Sequence, residues 1–122
     1  MDATFDLAII GSGPSGASAA FQAATQGLRV VMIEKEQLPR YKTCGGGFVY
    51  RGLKHMPFDV SPAIERDFYD VDIRLSTKQM GLNTTRKHPI ISMVMRDEFD
   101  YLIVKKAKKL GVELLQNQAL TP

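Results

Sequence analysis

The sequence predicts an α/β fold: a Rossmann-like parallel sheet around one strand–helix–strand unit, with an antiparallel segment inserted into it. Three observations carry this expectation. Leu7–Ile10 and Val30–Ile33 are short unbroken apolar runs, as parallel strands covered on both faces require. Between them Gly11, Gly13 and Gly16 form a G-x-G-x-x-G turn that opens a helix of small residues. From Tyr69 to Leu75, Val71, Ile73 and Leu75 alternate with polar residues, the period of an antiparallel strand with one face in water.

Each element has a local cause. Pro14 falls in the first helical turn, where its missing N–H costs nothing. Ala17, Ala19, Ala20, Ala23 and Ala24 let that helix press close to a sheet, and Gly27 suits a left-handed C-cap. Gly11 permits the tight turn out of the first strand, Gly13 lets a pyrophosphate approach bare backbone, and Gly16 lets helix and strand pack closely. The helix N-terminus offers unpaired N–H groups to an anion. Glu34 follows the glycines by about 20 residues, at the second strand's end, where a carboxylate accepts hydrogen bonds from ribose hydroxyls. Strand, helix and acid agree, so the turn is more than a glycine-rich connection.

Lys35 to Gly47 leaves that strand as a loop, with Arg40, Tyr41 and Lys42 as a small basic approach to the run Gly45–Gly46–Gly47. A solvated turn would explain such a run. Its place after Glu34, at the crevice where open α/β sheets bind ligands, favours a segment laid along a cofactor. Val49 to Met56 reads as a short helix, Pro57 and Pro62 as breaks, and Ala63 to Phe68 as a helical turn or a loop. Gly81 and Asn83 mark a turn region. Thr84–Lys87 and Ile90–Met95 read as further strands, separated near Pro89. Asp97 to Leu110 is a helix with Asp97 as cap, Asp100 as a weak capping-box partner and an apolar stripe of Phe99, Leu102, Ile103, Ala107 and Leu110. Lys105, Lys106, Lys108 and Lys109 form a solvated cationic face near its C-terminus. Gly111 ends it, and Val112–Leu115 returns to the parallel sheet. The parallel parts are expected over about 4–47 and 96–117, and the antiparallel insertion over about 68–95. So few parallel strands for a covered sheet suggest part of a longer protein.

Composition narrows the function. With 44% hydrophobic and 24% charged residues, the chain is typical of globular proteins. The net charge of +3 is mild and the lysines are not interleaved with aromatics, which argues against nucleic acid. Cys44 is the single cysteine, so no intrachain disulfide forms, and a reducing compartment fits. His55 and His88 lack partners at metal-ligand spacing, so no metal is expected. No apolar run reaches membrane-spanning length, and the start lacks the features of a secretory signal.

Three stretches carry a family resemblance. They are GSGPSGASAA with Glu34, PRYKTCGGG from Pro39 to Gly47, and MRDEFDYLIVKKAKKLGVEL from Met95 to Leu114. Together they make the span Asp6–Asn117 similar to the N-terminal third of the geranylgeranyl reductase family of flavoproteins, within the group of para-hydroxybenzoate hydroxylase and the FAD-dependent halogenases. The first stretch is common to the group. The K-x-C-G-G of the second is the more specific sign of the reductases.

The resemblance implies FAD as cofactor, with NAD(P)H or another external donor. Gly11, Gly13, Ser15 and Gly16 would hold the pyrophosphate, with Pro14 in the same turn. Glu34 would hold the ribose, and Arg40 and Lys35 would lie along the adenine side and the phosphates. Cys44, Gly45 and Gly46 would sit near the isoalloxazine ring, with Cys44 as candidate catalytic residue, and Arg96 would touch the cofactor from the later helix. It further implies reduction of isoprenoid C=C bonds on a small-molecule prenyl substrate, in a cytoplasmic protein able to meet a membrane peripherally. An aromatic monooxygenase or halogenase, and a non-catalytic nucleotide-binding module, are the alternatives. The family's later G-D motif and substrate sheet are not in these residues, so this stretch alone is expected to be inactive. The oligomeric state stays open.

Overall fold

A computed structural model describes residues 4–121. In chain order its elements are β1 (Leu7–Ile10), α1 (Pro14–Thr25), β2 (Val30–Ile33), β3 (Gly47–Val49), α2 (Tyr50–Lys54), β4 (Ile64–Phe68), β5 (Asp70–Leu75), β6 (Met80–Thr85), β7 (Ile91–Val94), α3 (Arg96–Lys109) and β8 (Glu113–Leu115). They fall into two compact units. One comprises the residues up to Thr43 and from Arg96 onward, and the other is Cys44–Met95.

The first unit is the predicted α/β half. Its sheet is parallel in the order β1-β2-β8, with Ile9 beside Met32 and Met32 beside Leu114. α1 packs on α3 and against β1 and β2. The helix contact is close because Ala17 and Ala20 are fully buried and carry only a methyl group. They share a core with Met32, Phe99, Ile103, Val104 and Ala107. The α3 stripe differs from expectation at two places: Val104 is buried, while Leu110 is exposed. Both helices end alike. The Gly27 N–H donates to the Ala24 carbonyl and the Leu28 N–H to that of Ala23; Gly111 and Val112 repeat this on Lys108 and Ala107. These are Schellman caps, and both glycines take the left-handed conformation the cap requires.

The second unit is antiparallel. It contains a three-stranded sheet in the order β3-β7-β4 and the hairpin β5-β6. Several sequence expectations change here. Val49 is the last residue of a strand and not the start of a helix, because Gly47, Phe48 and Val49 pair with Met93, Ser92 and Ile91. Ala63 closes a short 3-10 turn begun by Ser61, and Ile64–Phe68 is a strand on β7. Its charged sequence hid it, and pairing to β7 overrides the weak local propensity. Gly81 and Asn83 lie inside β6, opposite Arg74 and Asp72; the reversal is made by residues 76–79, with Gln79 taking the left-handed conformation. Arg86 and Lys87 fall beyond the strand.

Candidate functional site

The glycine turn shows why its residues are spaced as they are. A Cβ at Gly16 would run into the Gly11 carbonyl and crowd the Ile9 side chain at 3.3 Å, so only glycine lets α1 begin this close to β1. The Gly11 N–H donates to the Ile33 carbonyl at 2.8 Å, tying the turn to the end of β2. A Cβ at Gly13 would meet nothing closer than the Arg40 guanidinium, at 3.7 Å. The backbone there is bare and faces a cation, which suits a diphosphate.

Glu34 closes the other side. Its carboxylate is buried and accepts from the Ser12 N–H at 2.9 Å and the Ser12 hydroxyl at 2.5 Å on one oxygen. The other oxygen accepts from the Glu36 N–H at 3.1 Å. Burial pushes this carboxyl up, but the hydrogen bonds from Ser12 and Glu36 and the nearby Arg40 charge hold it below the usual carboxylate value. It is therefore an anion at neutral pH, and it pins the end of β2 to the glycine turn.

A chain of charges continues from it. Arg40 Nε lies 3.9 Å from Glu34 and 3.4 Å from Glu36, and its Nη1 donates to Asp100 at 3.0 Å. Asp100 also accepts a two-point contact from Arg96, at 2.7 and 3.0 Å. Asp100 thus pairs with arginines and does not complete a capping box. Asp97 lies inside α3, which begins at Arg96, and accepts from the Glu98 N–H.

Glu34, Glu36, Arg40 and Arg96 border a cavity of about 390 Å³. It gathers Gly11, Gly13, Glu34, Lys35, Arg40 and Arg96 from the predicted site residues. Pro14, Ser15 and Gly16 begin α1 beside it and do not line it. Lys42 and Gln118 also line it, and sequence reading did not select them as site residues. Ser12 and Asp100 were passed over as well. The one available signal was the i,i+4 spacing of Arg96 and Asp100. Cys44, Gly45 and Gly46 belong to the second unit, where Cys44 is exposed and the Gly46 N–H approaches its Sγ at 3.4 Å.

Comparison with known proteins bears on the fold and the family. The chain is 30% identical over 116 residues to digeranylgeranylglycerophospholipid reductase 2 of Methanosphaera stadtmanae, covering 90% of this chain and 29% of that protein. A geranylgeranyl bacteriochlorophyll reductase-like protein of Thermoplasma acidophilum superposes with a TM-score of 0.84 at 24% identity, over 93% of this chain and 30% of that one, which shows the fold. The flavin-dependent brominase Bmp2 superposes at 0.69 with 30% identity, over 90% of this chain and 28% of that one. The chain spans less than a third of the length of these relatives. The family model for FAD dependent oxidoreductases matches residues 6–121, the same span that carries the glycine turn, Glu34 and the arginine pair, and the chain belongs to that family.

Proposed function

We propose that this chain is the FAD-holding part of an enzyme that reduces geranylgeranyl-type isoprenoid C=C bonds. The observation that carries the cofactor assignment is the meeting of bare Gly13 backbone, the buried Glu34 carboxylate and the Arg40 guanidinium at one cavity. In this reading Gly11, Gly13, Ser15 and Gly16 receive the pyrophosphate on backbone N–H groups at the start of α1. Glu34 orients the ribose through its hydroxyls, and Arg40, Lys35 and Arg96 balance the phosphate charge. Cys44, Gly45 and Gly46 lie near the isoalloxazine ring and the substrate. When bound, reduced FAD would supply hydride to one alkene carbon, a proton would complete the other, and NAD(P)H or another external donor would re-reduce the flavin.

The prenyl substrate is supported by the similarity to digeranylgeranylglycerophospholipid reductase 2. A cytoplasmic protein meeting a membrane peripherally would suit such a substrate. Among the described residues no helix is long and apolar enough to cross a membrane. A second reading, an FAD-dependent halogenase or aromatic monooxygenase, is favoured by the similarity to the brominase. Anaerobic turnover separates the two. The whole enzyme of which this chain would be part, loaded with FAD and reduced, is expected to saturate a geranylgeranyl diphosphate or geranylgeranyl lipid without oxygen, read as product mass. Turnover of an aromatic substrate only in air would move the assignment to the second reading. Bound flavin that no donor reduces would leave a non-catalytic nucleotide holder.

A further inference from the structure

Asp100 has no part in the roles assigned above, yet both arginines of the site pair with it. It is 1% exposed and stands on α3. One of its oxygens accepts from Arg96 Nε at 2.7 Å; the other accepts from Arg96 Nη2 and from Arg40 Nη1, both at 3.0 Å. Arg96 is four residues away on the same helix, whereas Arg40 comes from the loop after β2, 60 positions distant in sequence. Arg40 is itself held in, with 9% of its side chain exposed, and its Nη2 lies 3.7 Å from where a Gly13 Cβ would be. Two guanidinium groups on one side of a crevice repel each other and, left alone, would turn outward into water. A buried carboxylate between them cancels that repulsion and sets their planes by directed hydrogen bonds.

We propose that Asp100 is a positioning residue for the diphosphate site, holding Arg40 and Arg96 in place before a nucleotide diphosphate arrives. This rests on the FAD reading above. Fixing the arginines in advance removes the ordering cost that binding would otherwise carry. The proposal runs against simple charge counting. Neutralising Asp100 makes the site more positive, so charge alone predicts tighter binding of a diphosphate. Positioning predicts the opposite, because the arginines lose their orientation.

The test is calorimetric titration of the flavin-free full chain and of Asp100→Asn with FAD, ADP and adenosine. The expected result is ADP and FAD affinity reduced about tenfold or more, the scale of one lost charge-assisted hydrogen bond. Adenosine, which carries no phosphate, should bind as in the wild type, a selectivity that general loss of structure would not produce. Asp100→Glu keeps the charge and moves the carboxylate by one methylene. Should the Asn variant fail to fold, the Glu variant carries the test, with several-fold weaker ADP binding expected. Unchanged or tighter ADP binding by a folded variant overturns the positioning role alone. A wild-type chain that binds neither FAD nor ADP overturns the FAD reading, and this proposal with it.

Discussion

The two units of the chain treat apolar side chains in opposite ways. In the first, Ile103 is 0% exposed, and Val104, Ala107 and Met32 are equally enclosed, because α1 lies against a parallel sheet and α3 packs on α1. In the second, the β5-β6 hairpin pairs Ile73 with Leu82 and Leu75 with Met80, placing all four on one face. That face is open, with Ile73 53% and Leu82 63% exposed. Both units follow the apolar periodicity their secondary structure demands. The difference is a second layer: α1, backed by α3, supplies one to its sheet, and no described residue supplies one to the hairpin face. Periodicity sets which side chains share a face; only packing decides whether that face leaves water.

The largest test of this contrast is a pair of isoleucine truncations. Ile103→Ala is expected to lower unfolding free energy by about 2–5 kcal/mol, the cost of a cavity in a closed core. Ile73→Ala should change it by no more than about 0.5 kcal/mol, as at other exposed positions. Urea denaturation measures both, and equal losses would erase the contrast.

Next comes a backbone substitution in the second unit. Gly46 has φ of +73°, and a Cβ there would collide with the Val94 carbonyl, whose own N–H donates to the Gly46 carbonyl at 2.9 Å. Gly46→Ala should cost about 1–3 kcal/mol of stability. It should leave ADP affinity unchanged, because the residues proposed to hold ADP belong to the first unit. Loss of ADP binding in a folded Gly46→Ala protein would show that the units do not divide the work in this way.

A smaller effect is expected at Glu34. Glu34→Gln keeps the shape and removes the charge that Ser12 and Glu36 donate to. FAD affinity should fall about tenfold, or ~1.4 kcal/mol, read by flavin fluorescence. Wild-type affinity in the variant would remove Glu34 from the site.

The same residue gives a pH signature. Its folded carboxyl lies below the ordinary value of 4.5, so its contribution to stability is present above that pH and is lost as pH falls through the folded value. Urea midpoints of the wild type should therefore drop more steeply below about pH 4.5 than those of Glu34→Gln. Parallel curves would mean that the Ser12 contacts do not favour the charged form.

Particular residues show where sequence reading reaches its limit. β1 and β2 fall at the predicted bounds, and Gly27 and Gly111 cap the two long helices as predicted. Gly13, Glu34 and Arg40 were named from spacing and resemblance, and they do meet at one cavity. Val49 reads as the start of a helix, Glu65–Asp67 as a helical turn or a loop, and Gly81 as part of a turn; each is in a strand. Asp100 reads as part of a helix cap; its i,i+4 spacing to Arg96 is a local signal, but its pairing with Arg40, 60 positions away, shows only in the tertiary structure.

The sequence by itself determined the strand–glycine turn–helix–strand unit, its caps and the acid at its end. Those depend on apolar runs, on glycine stereochemistry and on spacing along a few turns of chain, all local properties. Only the tertiary structure decided the short strands of the second unit, the exposure of the hairpin face and the Arg40–Asp100–Arg96 cluster. Strand pairing, layer packing and ion pairing are contacts between segments far apart in sequence, and short or charged segments carry too little intrinsic preference to announce their partners.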